Sequence, residues 1–264
     1  RRSSDLEPAK SIAHSKRMVE KSLISKRLTM KKILICAAFL LLVSVVLFSC
    51  KKRDDYLTGG TRHNAKYNGT TYDFLKSQAS GLFDTLLLLV DKAGLQDKLN
   101  QQGVSFFAPT DYAITNYLNR RAIQEQNIDP FRKWTLDSMI KYELPKFADS
   151  LDTYFVGQTL GYDNLTDNGA IYPTKKIGTQ AVVSYEEITP DNSSYTDLGG
   201  NPNVSANPRI IYYTFLFAPL TPPVVASEIS PDDGTRVRVQ TSGIQTNSGM
   251  IHVLNNQHIL FFRQ

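Results

Sequence analysis

From Thr71 onward, apolar residues recur at helical spacing and then give way to short alternating runs. Tyr72, Leu75 and Ala79 predict a helix over 72–79, which Thr70 or Thr71 caps and Asp73 favours in the first turn. Leu82, Phe83, Leu86, Leu87 and Val90 continue the period until Gly94 supplies a stop, and 95–99 predicts one more turn. Gly103 then introduces a compact run of strand formers, 104–108, ended by Pro109. Thr110 and Asp111 are expected to cap a helix over 112–118. The polar stretch 119–133 separates it from a helix over 136–142, whose stripe of Leu136, Met139 and Ile140 is broken by Pro145. Beyond Phe147 the pattern becomes β-rich, with strands predicted at 170–173, 181–185, 210–217, 236–241, 250–254 and 258–262. Arg236 to Gln240 alternates strictly, so one face is expected buried and the other wet. Between Pro190 and Pro208 lies a Gly/Asn/Ser/Pro-rich stretch with no apolar period.

Ahead of this region the pattern differs in kind. Met30-Lys31-Lys32 precedes an apolar run at 33–48, interrupted only by Ser44, and Ser49-Cys50 follows. A charged start, an apolar middle and a small residue before the cut read as an export signal. The run is 16 residues long, short of the roughly 20 that cross a bilayer as a helix. A permanent anchor is the alternative reading. Leu47-Phe48-Ser49-Cys50 resembles the lipobox of bacterial lipoproteins, in which the chain is cut before the cysteine and the thiol is acylated; the expected lipidation site is Cys50. Met30 is then the expected start, with 1–29 a non-native upstream leader. Residues 50–70, polar and carrying Gly59-Gly60 and Asn68-Gly69, read as a flexible tether.

Composition changes the picture mainly by where the charge sits. The chain has 264 residues, 41% hydrophobic and 21% charged, which excludes disorder, collagen and a disulfide scaffold. Its net charge of +5 is misleading, because residues 1–49 hold ten Lys/Arg against three acids, or +7, leaving the remainder at −2. A slightly acidic body lacks the phosphate-neutralising surface that nucleic-acid binding needs. Of two cysteines, Cys36 leaves with the signal and Cys50 is lipidated, so no thiol remains for a disulfide, a metal or catalysis. Lys51-Lys52-Arg53-Asp54-Asp55 resembles the signal that sends Bacteroidetes lipoproteins to the outer leaflet of the outer membrane; the alternative is solvated charge on a tether. Three acyl chains anchor the protein under either reading. The expected location is the outer membrane, exposed to the outside, with a periplasm-facing orientation as the alternative.

Two stretches far apart in the chain carry a second resemblance. Ser105-Phe106-Phe107-Ala108-Pro109-Thr110-Asp111-Tyr112 resembles the first signature box of fasciclin (FAS1) domains, a strand ending in Phe-Ala-Pro-Thr that turns into a helix. Ser248-Gly249-Met250-Ile251-His252-Val253-Leu254 is similar to the second, typically Asn-Gly-Val-Ile-His-Val-Ile. The likeness spans residues 71–262 and implies an α+β wedge, helices packed on a β-sandwich-like sheet, as a single domain over 71–264 with insertions near 119–133 and 190–208. Phe107, Ala108, Pro109, Thr110, Asp111, Gly249, Ile251, His252 and Val253 are its structural motif residues. Family members usually carry Tyr-His at the end of the helix before the sheet, and here Tyr142-Glu143 stands in its place.

The residues agree without the family name. Phe106 and Phe107 point to opposite faces of a strand and are expected buried on both, with Leu86, Val90, Ile251 and Val253 in the same core. His252, flanked by Ile251 and Val253, is expected as a neutral, hydrogen-bonded core imidazole. A metal site would need His258 opposite it in a hairpin, and two ligands leave zinc incomplete. Tyr213 to Pro219 echoes the first box but leads into Leu220-Thr221-Pro222-Pro223, which cannot start a helix, so it reads as a strand end.

The search for chemistry is mostly negative. No Gly-x-Ser-x-Gly elbow, phosphate loop, Gly-x-Gly-x-x-Gly or His-Glu-x-x-His is present. Asp232 and Asp233 form the one adjacent acid pair weighed for hydrolysis, and Pro-Asp-Asp-Gly reads more simply as a turn. The expectation is a non-enzymatic, lipid-anchored adhesion or binding module without cofactor, whose partners are the membrane and a protein or polysaccharide ligand. An accessory lipoprotein of an outer-membrane glycan-uptake system is the alternative. In the stretch 190–208, Tyr195, Asn201 and Asn203 make a candidate binding loop, against a plain surface insertion.

Overall fold

The architecture is α+β, seen in a computed structural model that describes residues 66–79, 81–187 and 209–262. Helix α1 is Thr71–Lys76, α2 Asp84–Ala93 and α3 Gln96–Leu99; strand β1 follows at Val104–Ala108. Next come α4 Asp111–Ile128, α5 Leu136–Tyr142 and α6 Leu144–Ser150, then a 3-10 turn at Leu151–Tyr154. The remaining strands are β2 Phe155–Val156, β3 Ala170–Pro173, β4 Gln180–Glu187, β5 Arg209–Leu216, β6 Gly234–Gln245 and β7 Gly249–Leu254. These residues belong to one compact unit, Leu57–Gln264.

Local chemistry accounts for most boundaries. Thr70 and Asp73 form a reciprocal capping box at α1, and Thr135 with Ser138 does the same at α5. Gly94 takes the left-handed conformation at φ 66° and ends α2, with the Leu95 N–H returning to the Val90 carbonyl at 2.9 Å. Pro145 does not simply break a helix. It lies in the first turn of α6, where a missing N–H costs nothing.

Several expectations require correction. The helical period at 72–93 is cut in two: α1 ends at Lys76, α2 begins at Asp84, and Gly81 between them has φ 85°. Helix α4 runs ten residues past the expected end at Leu118, to Ile128, so most of the stretch 119–133 is helix and not a separating insertion. The stretch 258–262 is no strand: Phe261 and Phe262 have φ of 72° and 59°, a left-handed turn that cannot join a ladder. The tether gives way to folded structure before Thr71. Lys66 bridges to Gln245, the Tyr67 N–H donates to the Gln245 carbonyl at 2.8 Å, and the Asn247 N–H donates to the Gly69 carbonyl at 2.9 Å.

The sheet runs β2-β1-β7-β6-β5-β4-β3, with β1 and β7 parallel and the other neighbours antiparallel. Its two ends meet, since Val156 bridges to Thr174 and the Lys175 N–H donates to the Phe155 carbonyl at 2.9 Å. This contact brings the two edge strands together and shortens the exposed edge. The twelve-residue β6 serves both halves, paired to β5 at one end and β7 at the other, with register breaks between Val239 and Ile244 that let it bend. As expected, Val237 and Val239 are buried while Arg238 and Gln240 are exposed. Leu86, Val90, Phe106, Phe107, Ile251 and Val253 all lie in one core with helices α2, α4, α5 and α6. The echo of the first box ends β5 at Leu216, as a strand end.

Candidate functional site

The two signature stretches are neighbouring strands. In the parallel pair of β1 and β7, Val104 stands opposite Gly249, Phe106 opposite Ile251, Phe107 opposite His252 and Ala108 opposite Val253. The glycine has a steric reason: a Cβ at Gly249 would lie 2.2 Å from the Val104 carbonyl oxygen, far inside contact distance. Phe106 stacks on Phe155 at 4.4 Å on one face, and Phe107 packs on Tyr213 at 4.3 Å on the other. Ser105, fully buried, accepts the Leu160 N–H on its hydroxyl at 2.8 Å.

After Pro109, which is buried, the two expected capping residues reach elsewhere. Thr110 donates its hydroxyl to Asn256 Oδ1 at 3.1 Å, tying the exit of β1 to the exit of β7. Asp111 caps not its own helix but α2. Its carboxylate accepts the N–H groups of Thr85 and Leu86, both at 2.9 Å, and its own N–H donates to the Leu82 carbonyl. Phe83, the residue before α2, has no side-chain oxygen to offer, so this cap in trans satisfies donors that would otherwise be buried unpaired.

His252 is a fully buried imidazole whose Nε2 lies 2.9 Å from the Leu160 carbonyl; facing a carbonyl, that nitrogen carries the proton. Burial lowers its pKa to about 4, so it is neutral at pH 7. His258 is not opposite it. It sits beyond the end of β7, 2.8 Å from the Tyr154 hydroxyl through Nε2, and burial lowers its pKa to about 3. The Tyr154 oxygen also accepts the Phe261 N–H at 2.9 Å, and the tautomer that gives its own buried proton an acceptor is the one with the His258 proton on Nδ1. Among the described residues no cluster of three His, Cys, Asp or Glu gathers as a metal-binding group. Asp232 and Asp233 lie in a turn, their N–H groups donating to the Ser230 hydroxyl and carbonyl. No sequence signal announced the Tyr154–His258 pair.

At Tyr142-Glu143 the two side chains diverge. Tyr142 is 63% exposed, with Lys141 Nζ 5.0 Å over its ring and Trp134 6.2 Å away. Glu143 turns inward, accepting the Tyr117 hydroxyl at 2.6 Å and lying 3.4 Å from Arg121 Nε. Burial, and then that carboxylate, push the Tyr117 phenol above its ordinary range. Lys146 Nζ donates to the same hydroxyl at 2.8 Å, and the Arg121 guanidinium stacks on Trp134 at 4.3 Å. Phe131 protrudes nearby in sequence, 91% exposed. Cys50, Tyr195, Asn201 and Asn203 lie outside the described residues. So does the apolar run 33–48; among the described residues no helix is long and apolar enough to cross a membrane.

No family model matches the chain, and no curated protein is similar to it. Among solved structures it is similar to a FAS1 domain pair from the insect cell adhesion molecule fasciclin I. That match has 14% identity and a TM-score of 0.39, and it covers 69% of this chain and 46% of that one. The chain thus spans about half the length of that domain pair.

Proposed function

We propose that this chain is a non-enzymatic adhesion or binding module of fasciclin type, held on the outer membrane by lipid on Cys50 and facing outward. One observation carries the reading: the two sequence stretches that resemble the family's signature boxes pair in parallel and in register, with Phe107 opposite His252. Such pairing makes each box explain the other, since the glycine of the second admits the backbone of the first. The buried titratable groups of these boxes are committed to structure. His252 and Asp111 hold buried carbonyl and N–H groups, which leaves recognition to exposed positions on a rigid body. Tyr142 and Phe131 are exposed aromatics suited to a protein or polysaccharide partner.

The test uses the full chain on cells. Mass spectrometry of the membrane-extracted protein is expected to find acylated Cys50 at the N-terminus, and Cys50→Ser is expected to release the protein from membranes. Protease shaving of intact cells is expected to remove it. Crosslinking on intact cells is expected to capture extracellular matrix or another cell's surface. Capture of an outer-membrane transporter instead would replace adhesion with an accessory role in uptake. Deleting 191–207 asks whether the candidate loop takes part; unchanged binding with intact folding removes it.

A further inference from the structure

Strand β6 is paired to β5 from Gly234 to Arg238, but on its other side β7 reaches it only from Val239 onward, the last contact being the Asn255 N–H on the Arg238 carbonyl at 2.9 Å. The chain then swings away and returns at Phe262, whose carbonyl accepts the Thr235 hydroxyl at 2.9 Å. Between these two ties lies a cleft of about 220 Å³. Phe262 is part of its lining, and its polar lining residues are Thr235, Arg236, Arg238, Asn255, Gln257 and His258.

The charge of this cleft is specific. Arg236 is committed: its guanidinium stands 3.8 Å over the Tyr212 ring and donates to Glu186 at 2.7 Å. Arg238 is exposed, and its guanidinium has no hydrogen bond or ion pair among the described residues. Among the described residues no carboxylate lines the cleft. His258 is 3% exposed and neutral; its Nε2 is taken by Tyr154, which leaves Nδ1 as its remaining ring nitrogen. One unmatched guanidinium, two amide side chains and an imidazole together make a polar recess suited to a single negative charge. A guanidinium grips a carboxylate by two parallel hydrogen bonds, which an ammonium cannot do. The volume is below the 300–1,000 Å³ usual for drug-sized ligands, which limits the occupant to about one sugar or amino-acid unit.

We infer that the cleft between the Thr235–Arg238 edge of β6 and the turn after β7 binds a small carboxylate, with Arg238 as its anchor and Asn255, Gln257 and His258 as flanking hydrogen-bonding groups. The assignment does not rest on the adhesive reading; it holds or fails for any function of the chain. The carboxylate could belong to an acidic sugar or to a peptide, and both offer the same chemistry to Arg238.

The full chain is titrated by calorimetry and by amide NMR with sodium galacturonate, with N-acetylglycine, with neutral galactose and with inorganic phosphate. At least one carboxylate is expected to bind in the millimolar range or tighter and to shift the side-chain amide signals of Asn255 and Gln257. Galactose is expected to bind at least 10-fold more weakly than galacturonate. A response to galacturonate alone identifies an acidic sugar as the source, and one to N-acetylglycine alone a peptide. Arg238→Gln is expected to weaken binding 10-fold or more with an unchanged melting temperature, and Arg238→Lys to recover only part of it. The inference is overturned if neither carboxylate shifts those signals, if phosphate binds more tightly than both, or if Arg238→Gln binds as the parent does.

Discussion

Phe107 and His252 stand directly opposite each other across the parallel pair of β1 and β7, their rings stacked at 4.8 Å and 15°. The contact joins residues 145 positions apart, and it leaves the imidazole with an aromatic face on one side and the Leu160 carbonyl at its edge. A charged imidazole would gain little there, because nothing anionic touches it and burial strips its water.

That environment makes stability depend on pH. Both His252 and His258 have folded-state pKa values lowered, to about 4 and about 3, below the ordinary value of 6.5. Neutral imidazole is therefore the form that folding favours. The stabilising term is full above pH 6.5, where neither state is protonated, and is lost as pH falls toward 4, because the unfolded chain takes up protons first. Each histidine is expected to contribute about 1.4 kcal/mol per pH unit across that window. Urea midpoints at pH 4.5, 5.5 and 7 check this. A curve flat from pH 7 to 4.5 would show that the imidazoles are solvated.

Asp111 is expected to matter for a helix it does not belong to. Asp111→Ala removes the acceptor for two N–H groups at the start of α2, costing about 2–3 kcal/mol, the cap plus the desolvation of donors left unpaired. Hydrogen exchange locates the effect. Protection should fall first at Thr85 and Leu86, whereas a cap on its own helix would expose the first turn of α4.

How far the sequence reveals this fold depends on whether a local pattern had a local cause. Helix α5 and strands β1 and β3 are read at their true bounds because capping residues, prolines and apolar spacing sit inside them. Helix α4 is read short because its apolar positions thin out after Leu118; its later turns are held by Arg121 paired to Glu125 at 3.3 Å and stacked on Trp134, contacts with no periodic signature. The stretch 258–262 has strand-forming residues but no partner strand. Tertiary contacts, including Asn116 donating to the Asn256 and His258 carbonyls at 3.0 Å, hold it as a turn instead. The alternation in β6 places Arg236 and Arg238 on one wet face, yet the cleft beside them exists only because β7 ends at Leu254. No feature of the sequence marks that gap.

Gly249 is expected to be intolerant of any side chain. Gly249→Ala places a methyl group 2.2 Å from a backbone oxygen of β1, and neither strand of a parallel pair in the core can retreat without breaking its ladder. A loss of about 3 kcal/mol, or failure to fold, is expected, at the upper end of overpacking costs. Gly157→Ala is the control: its nearest new neighbour is the flexible Lys175 side chain at 3.7 Å, and a change within about 0.5 kcal/mol is expected. Equal effects from the two would contradict the close approach of β1 and β7.

Tyr142 and Glu143 are adjacent in the chain and are expected to separate binding from stability. Glu143 is drawn in among Tyr117, Arg121 and Lys146. Glu143→Gln removes the charge but keeps the shape, and about 1–2 kcal/mol of loss is expected, since the Arg121 Nε is buried with no other partner. A double-mutant cycle with Tyr117→Phe should give a coupling near 1 kcal/mol, because the two groups share one 2.6 Å hydrogen bond. Tyr142→Ala is expected to change stability by no more than about 0.5 kcal/mol, because the ring is mostly in water. Cell binding should respond in the opposite order, falling for Tyr142→Ala and holding for Glu143→Gln at temperatures where both are folded. If Tyr142→Ala binds as the parent does, recognition uses a different face, and the exposed Phe131 becomes the next position to change.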